Sequence, residues 1–358
     1  MEIAIFGAGI AGLMSAVVLR ADGHHCRVIE PRREALAAGM GFILAPSGMA
    51  CLRDEGLSLI EGAGMALRTY CHRLAQGRLE HCEPLPEGSR GVLRSELVDG
   101  LRRLLPENTF HFGAGLDHLR FDSDRRVTGA VLQGGATVHA DLYLGTEGVH
   151  SRARQSLFPS WTRRHAQVWE LVGVTHCRET LQWASRNLNK FHHPLGGLAF
   201  GILPVGPDTA VWYLQYDTER IESPPASPQN LRAFVQRHVG GWGQPVPMLL
   251  DGIDMDRIHL WRPLDIDLVP HFHGPNLALL GDAAHPLSPF SSQGVSSALA
   301  DAIALRQALR SGQDLPDALA TYSRQRREDC LPCVARGRDL STRFLAPQLR
   351  SAPTVPMA

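Results

Sequence analysis

The run Glu2-Ile3-Ala4-Ile5-Phe6-Gly7-Ala8-Gly9-Ile10-Ala11-Gly12, which continues without a charge to Leu19, decides the fold. Residues 2–6 read as a short buried strand and residues 13–19 as an apolar helix, with three glycines at the turn between them. A second strand, Cys26-Arg27-Val28-Ile29, ends on Glu30. Strand, glycine turn, helix, strand and acid in this order make the dinucleotide-binding fingerprint in its required context. Gly7 permits the tight turn, Gly9 lets backbone approach a pyrophosphate, and Gly12 lets helix and strand pack closely. The helix start, including Ala11, offers N–H groups and a positive dipole end to phosphate. Glu30 can accept bonds from a ribose diol, and an acid there favours FAD or NAD over NADP.

The same uncharged run resembles the apolar part of a secretory signal, but Glu2 stands where positive charge belongs and the glycines interrupt it. It is also short for a membrane span of about 20 residues. A cytoplasmic protein with no membrane span is expected. The chain has 358 residues, about two domain lengths at roughly 150 residues each. Its 36 basic and 36 acidic residues cancel, so the electrostatic footprint of a general nucleic-acid binder is missing and none is expected as partner. Of the 36 basic residues only Lys190 is a lysine, an arginine skew read as a mark of genome composition. Seven scattered cysteines imply a reducing compartment without a disulfide framework.

A second motif lies far downstream. Asn276-Leu277-Ala278-Leu279-Leu280 reads as a buried strand ending in Gly281-Asp282-Ala283-Ala284-His285-Pro286, followed by Pro289-Phe290-Ser291-Ser292-Gln293-Gly294-Val295 and a helix. A third, Asp141-Leu142-Tyr143-Leu144-Gly145-Thr146-Glu147-Gly148, stands between them. Together these resemble the class A flavoprotein monooxygenases, the p-hydroxybenzoate hydroxylase-like family, from residue 1 to about 340. The resemblance implies an α/β fold: a Rossmann-like FAD-binding domain of the p-hydroxybenzoate hydroxylase type with an interleaved, mainly antiparallel β-sheet substrate domain. The FAD domain is expected over 1–65, 92–163 and 264–345, the sheet domain over 66–91 and 164–263, and a tail over 346–358.

The resemblance also assigns roles. Gly281 and Asp282 would hold the FAD ribityl hydroxyls, while Gly294 and Val295, at a helix start, would aim N–H groups at the flavin pyrimidine edge. Pro289 would line the flavin face where oxygen reacts, making it the residue nearest the chemistry. Arg94 would lie against the ribityl-phosphate region, and Arg32 or Arg33 beside the adenosine half. Glu147 replaces the family's aspartate, which keeps the charge but lengthens the side chain, and puts NAD(P)H use in question. Ser292 and Ser296 stand where the family commonly has Gly and Asn.

Between the motifs, strand-like stretches at Gln167–His176, Gly197–Leu203 and Thr209–Tyr216 alternate with turns, and Pro204 to Asp208 join two of them. Alternation puts Trp212, Leu214 and Tyr216 on one face and Tyr213 and Gln215 on the other. Trp212 and Tyr216, with Phe290, are the expected lining of a substrate pocket. Cys330 and Cys333, and His271 with His273, lack the context of a redox or zinc motif, so no metal is expected. The resemblance implies an oxidoreductase that uses FAD, with NADPH or NADH as transient co-substrate and O2. It would hydroxylate or epoxidise a small aromatic or polyunsaturated molecule through a flavin C4a-hydroperoxide. Alternatives are an oxidase or dehydrogenase, a monooxygenase reduced by a separate flavin reductase, and a non-catalytic FAD-binding protein.

Overall fold

The computed structural model describes residues 1–32, 41–57, 63–162, 164–225, 227–253 and 258–346. The chain enters one sheet, crosses to a second, and then repeats the excursion. Strands β1 (Glu2–Phe6) and β2 (His25–Glu30) flank helix α1 (Ile10–Ala21), after which β3 (Thr69–Leu74) and β4 (Leu79–Pro84) run in the other sheet. Helix α2 (Arg94–Arg103), β5 (Phe110–Phe112), β6 (Leu142–Gly145) and helix α3 (Arg152–Leu157) follow. The second excursion contains β7 (Val168–Thr175), β8 (Asn187–His192), β9 (Leu198–Pro204) and β10 (Ala210–Asp217). Helices α4 (Pro228–Val239) and α5 (Val246–Asp251) and strand β11 (His259–Trp261) complete it. Strands β12 (His273–Gly274) and β13 (Leu277–Leu279) rejoin the first sheet, followed by helices α6 (Gly294–Leu309) and α7 (Leu315–Leu345).

The first sheet has the order β12-β13-β6-β1-β2-β5 and is parallel except for β12. A parallel sheet covered on both faces needs continuously apolar strands. Ile3, Ala4, Ile5 and Phe6 meet that need, all at most 1% exposed. Helix α2 buries Leu97, Val98 and Leu101, and just beyond its end Leu105 is buried whereas Leu104 turns to solvent.

The second sheet has the order β11-β7-β10-β9-β8-β3-β4, antiparallel apart from the pair β8 and β3. Its outer face carries Leu171, Phe200, Trp212 and Tyr216, packed with Phe234 and Val235 of α4 and Leu249 of α5. This corrects the expected pocket lining. Trp212 and Tyr216 are fully buried on the helix side, and the Trp212 ring lies over Gly173, where a Cβ would come within 2.8 Å of it. The inner face, set by cross-strand register, carries Glu170, Tyr213, Gln215, Lys190, His192 and His72. Strand β8, which supplies two of these, is absent from the strands read in the sequence.

A second correction concerns the cysteines. Cys71 and Cys82 are direct partners across β3 and β4 and form a disulfide. The hairpin brings them into register, a relation that their spacing alone does not reveal. The remaining five cysteines are free.

Candidate active site

Three segments far apart in sequence meet at the glycine turn after β1. Gly7 has φ +107°, and its N–H donates to Ile29 O at 2.8 Å. A Cβ on Gly7 would lie 2.7 Å from Thr146 O, and one on Gly12 would lie 2.1 Å from Gly7 O. No side chain caps α1, so its first N–H groups keep their direction toward the turn. Glu30, at the end of β2, accepts from the N–H groups of Ala8 at 2.9 Å and Arg32 at 3.2 Å. Arg32 is otherwise largely exposed, with its Nε 3.8 Å from Glu30. Arg33 lies outside the described residues.

Arg94 joins the pieces. It starts α2, and its Nη2 lies 3.7 Å from the position a Cβ on Gly9 would take. Burial lowers its pKa, opposed by the charge of Asp282; Arg32 and Glu30 act more weakly. Gly9, Glu30 and Asp282 therefore lie within contact or electrostatic reach of one guanidinium. Asp282 keeps an accessible side chain, yet burial pushes its carboxyl up against the charges of His285, Arg94 and Arg154. Accessible atoms ringed by protein are what the wall of a deep cleft presents. Gly281 (φ +58°) brings the late motif onto α1, where a Cβ would stand 3.0 Å from that of Ala11.

Several positioning residues are not evident from the sequence. Thr146 donates from Oγ1 to Phe6 O at 2.7 Å and Gly7 O at 3.0 Å, tying the middle motif to the glycine turn. Arg154, 2% exposed, donates to the carbonyls of Asp282, Ala283 and Val149, and so clamps the late motif to the middle one. Asp301 on α6 accepts from Gly281 N, His285 Nε2 and Arg326 Nε, each at 2.7 Å. His285 holds the loop after Asp282 from inside, through its bond to Asp301. A buried Arg beside small residues on a short helix, as at Ala153-Arg154, is the one local signal that could have marked Arg154.

Glu147 has turned inward. Its carboxylate accepts from Ala153 N at 2.9 Å and Ser151 Oγ at 2.7 Å, bracing the start of α3. Burial pushes its pKa up despite those bonds. In the late loop a single turn, Pro289–Ser291, leads to Ser292 at φ +52° and then to α6 at Gly294. The space beyond Gly294 Cα is open for 4 Å, so backbone N–H groups there can meet a ring edge. Phe290 packs with Val168 and Ala199 of the inner sheet face and with Leu340 and Phe344 of α7. Pro289 thus stands where this loop meets that face.

Left-handed backbone costs a non-glycine residue about 1–2 kcal/mol, part of which glycine returns as unfolded-chain entropy. Ser292→Gly is therefore expected to raise Tm, with a gain of up to about 1 kcal/mol. A fall in Tm would show that the serine makes a compensating contact.

The residues fit FAD. The cradle at Gly7 and Gly12 admits no side chain, Arg94 Nη2 comes within 3.7 Å of the Cβ position on Gly9, and Asp282 lies within electrostatic reach of that guanidinium. Among the described residues no group of three or more His, Cys, Asp or Glu is placed to hold a metal, and no helix is long and apolar enough to cross a membrane.

Comparison with known proteins agrees. The family described as FAD binding domain matches residues 1–330. The FAD-dependent urate hydroxylase of Klebsiella pneumoniae is 28% identical over 356 residues, covering 94% of this chain and 89% of that protein. The 3-amino-4-hydroxybenzoate 2-monooxygenase of Streptomyces cremeus is 27% identical over 369 residues, covering 97% and 88%. Klebsiella pneumoniae HpxO, solved with FAD and uric acid, shares the fold with a TM-score of 0.86 at 24% identity, covering 95% of this chain and 88% of that one.

Proposed function

Because this chain belongs to the FAD binding domain family, we propose that it is an FAD-dependent monooxygenase that hydroxylates a small electron-rich aromatic molecule, with NADPH or NADH as reductant and O2 as co-substrate. One observation carries the reading: Gly9 and Glu30 of the fingerprint and Asp282 of the late motif lie within contact or electrostatic reach of Arg94, beside a loop that abuts a second sheet. The relatives named above act on urate and on 3-amino-4-hydroxybenzoate, and we place this chain's substrate in the same class of polar rings. The reaction belongs in the cytoplasm, where reduced nicotinamide is supplied.

Bound FAD would supply the electron and oxygen chemistry, and the chain supplies position and electrostatics. Gly7, Gly9 and the α1 start would hold the pyrophosphate, Glu30 the adenosine ribose, and Arg94 and Asp282 the middle of the cofactor. The α6 start at Gly294 and Val295 presents the positive end of a helix dipole, which favours anionic charge on a neighbouring ring. Pro289 has no N–H and keeps that face of the loop free of a donor. The inner face of the second sheet would roof the reacting ring and exclude water.

Two outcomes test the reading. The purified protein is expected to be yellow and to bleach anaerobically when NADPH or NADH is added with a substrate. The inward turn of Glu147 favours a second version, in which a separate flavin reductase supplies the electrons. Bleaching that requires an added reductase selects this version. A colourless protein that does not take up FAD contradicts both.

A further inference from the structure

We propose that Cys71 and Cys82 are a reversible redox latch on the edge of the second sheet: joined, they fix strand β4 against β3, and reduced, they let it move. This goes beyond the monooxygenase reading and rests on it only for the source of the oxidant.

Of seven cysteines two are joined and five are free thiols. Disulfides that serve a fold belong to oxidising compartments and to domains too small to build a core. The second sheet has no such need, because buried apolar clusters pack on both of its faces. The bond also closes nothing that is open. At the hairpin turn Leu74 N–H donates to Arg78 O at 3.0 Å, and Gly77 N–H donates to Leu74 O at 2.8 Å. The turn is docked in its own right, since Gly243 N–H donates to Ala75 O at 2.8 Å. Past the other end of β4, Leu85 is buried and donates to Arg68 O at 2.9 Å. A short loop held at both ends has little to gain from one more closure.

The position of the bond gives it a different use. Cys71 and Cys82 pair directly with Cα atoms 4.3 Å apart, the close spacing of a non-hydrogen-bonded pair. The ladder therefore keeps both sulfurs within reach of each other whether joined or not. Access is one-sided: Cys71 is 4% exposed, whereas Cys82 is open to solvent. Strand β4 ends the sheet and pairs with β3 alone among the described strands. Its register shifts beside His72, which leaves Glu80 as the extra residue of a bulge. Glu80 lies 3.2 Å from His72, and His72 stacks on His192 of the inner face at 3.9 Å. Alternation puts Cys71 on the face opposite His72. The latch is thus fastened from outside, and the contact that it holds in place belongs to the inner wall.

Closing consumes one hydrogen peroxide. The Cys82 thiolate attacks one peroxide oxygen, the O–O bond breaks, and a sulfenic acid and water result. The Cys71 sulfur then displaces the remaining oxygen as a second water, so two thiols and one peroxide give one disulfide and two waters. A flavin that reduces O2 without transferring oxygen releases this oxidant. Opening needs a dithiol: one of its thiolates attacks Cys82 Sγ and Cys71 leaves as a thiol. The second thiol then displaces Cys82, and the dithiol departs as its own disulfide.

The test uses the whole protein as purified, treated under native conditions with equimolar hydrogen peroxide or with dithiothreitol, and needs no substrate. After peroxide, alkylation in denaturant is expected to count five thiols, with Cys71 linked to Cys82 in the peptide map. After dithiothreitol it should count seven, and renewed peroxide should restore five. Reduction should speed amide exchange in residues 79–84 by about ten-fold or more. Residues 2–6 of the first sheet should stay within about two-fold, and flavin content should not change. Cys82→Ser should exchange like the reduced protein and respond to neither reagent. Should that variant not fold, the oxidised and reduced forms of the unmodified protein decide.

A bond that opens only in denaturant, or thiols at 71 and 82 that survive peroxide, overturns the proposal. So does exchange in 79–84 that ignores reduction, or flavin lost on reduction. A protein that shows the latch but takes up no flavin retires the monooxygenase reading alone.

Discussion

Gly12→Ala is expected to purify without its flavin. The new Cβ would fall 2.1 Å from Gly7 O and 2.6 Å from Thr146 Oγ1. Both are fixed atoms: Gly7 belongs to the turn that ends β1, and Thr146 is held on the carbonyls of Phe6 and Gly7. Relief requires helix α1 to move off the sheet, which spoils the turn that receives the pyrophosphate. Overpacking of this kind typically costs about 1–3 kcal/mol. Retained FAD is expected to drop below about a tenth of the unmodified level, since each 1.4 kcal/mol is ten-fold in affinity. Gly241→Ala is the control, because nothing lies within 4 Å of its Cβ position. Equal flavin content in the two variants would remove the cradle from the account.

The second large effect is expected at Asp301. Its carboxylate lies between His285 and Arg326, with all three side chains buried or nearly so, and it also takes the N–H of Gly281. Removing one member of a buried charged set strands the others, which typically costs about 3–5 kcal/mol. Asp301→Ala should therefore lower Tm substantially and loosen the loop that carries Asp282. The pH dependence has a definite sign. Burial works against charge on His285, but Asp301 and Cys330 raise its pKa well above the ordinary histidine value. Such a group stabilises fully below about pH 6.5, and the contribution is lost as pH rises through the raised value.

Burial likewise opposes charge on Asp301, yet His285 and Arg326 hold its pKa below 3.8. That contribution is present above 3.8 and is lost as pH falls through the lowered value. Stability from the pair should thus form a plateau through mildly acidic and neutral pH and decline on the alkaline side. Asp301→Asn should flatten that alkaline decline in thermal scans. An unchanged pH profile would mean that His285 is neutral in the folded protein.

What the sequence made legible was local. Gly7, Gly9, Gly12 and Glu30 declare themselves within 24 residues because each answers a backbone or hydrogen-bond requirement of one turn. The late Gly281-Asp282 motif is legible for the same reason. The parallel strands are apolar throughout, and the sheet hairpin at Pro204 to Asp208 carries its own turn residues. Thr146, Arg154 and Asp301 were hidden because their partners lie far away in sequence or in backbone carbonyls that carry no residue signature.

The pocket was misread for a related reason. In β10 both faces are buried, so alternation separates Trp212 and Tyr216 from Tyr213 and Gln215 without saying which set faces the cofactor. The larger aromatics belong to the face that packs on helices α4 and α5, where apolar area is what matters. Strand β8 escaped notice because Asn189, Lys190 and His192 break the apolar alternation by which strands are found. Polar residues at buried strand positions were themselves the signal.

The most direct measurement follows the oxygen atom. The FAD-loaded protein would be given NADPH or NADH, isotopically labelled O2 and a panel of hydroxy- and amino-substituted aromatic acids, with products read by mass spectrometry. A product carrying a single labelled oxygen is expected, formed with equal consumption of reduced nicotinamide and O2. Reducing equivalents recovered entirely as hydrogen peroxide, with every acid in the panel unchanged, would contradict it.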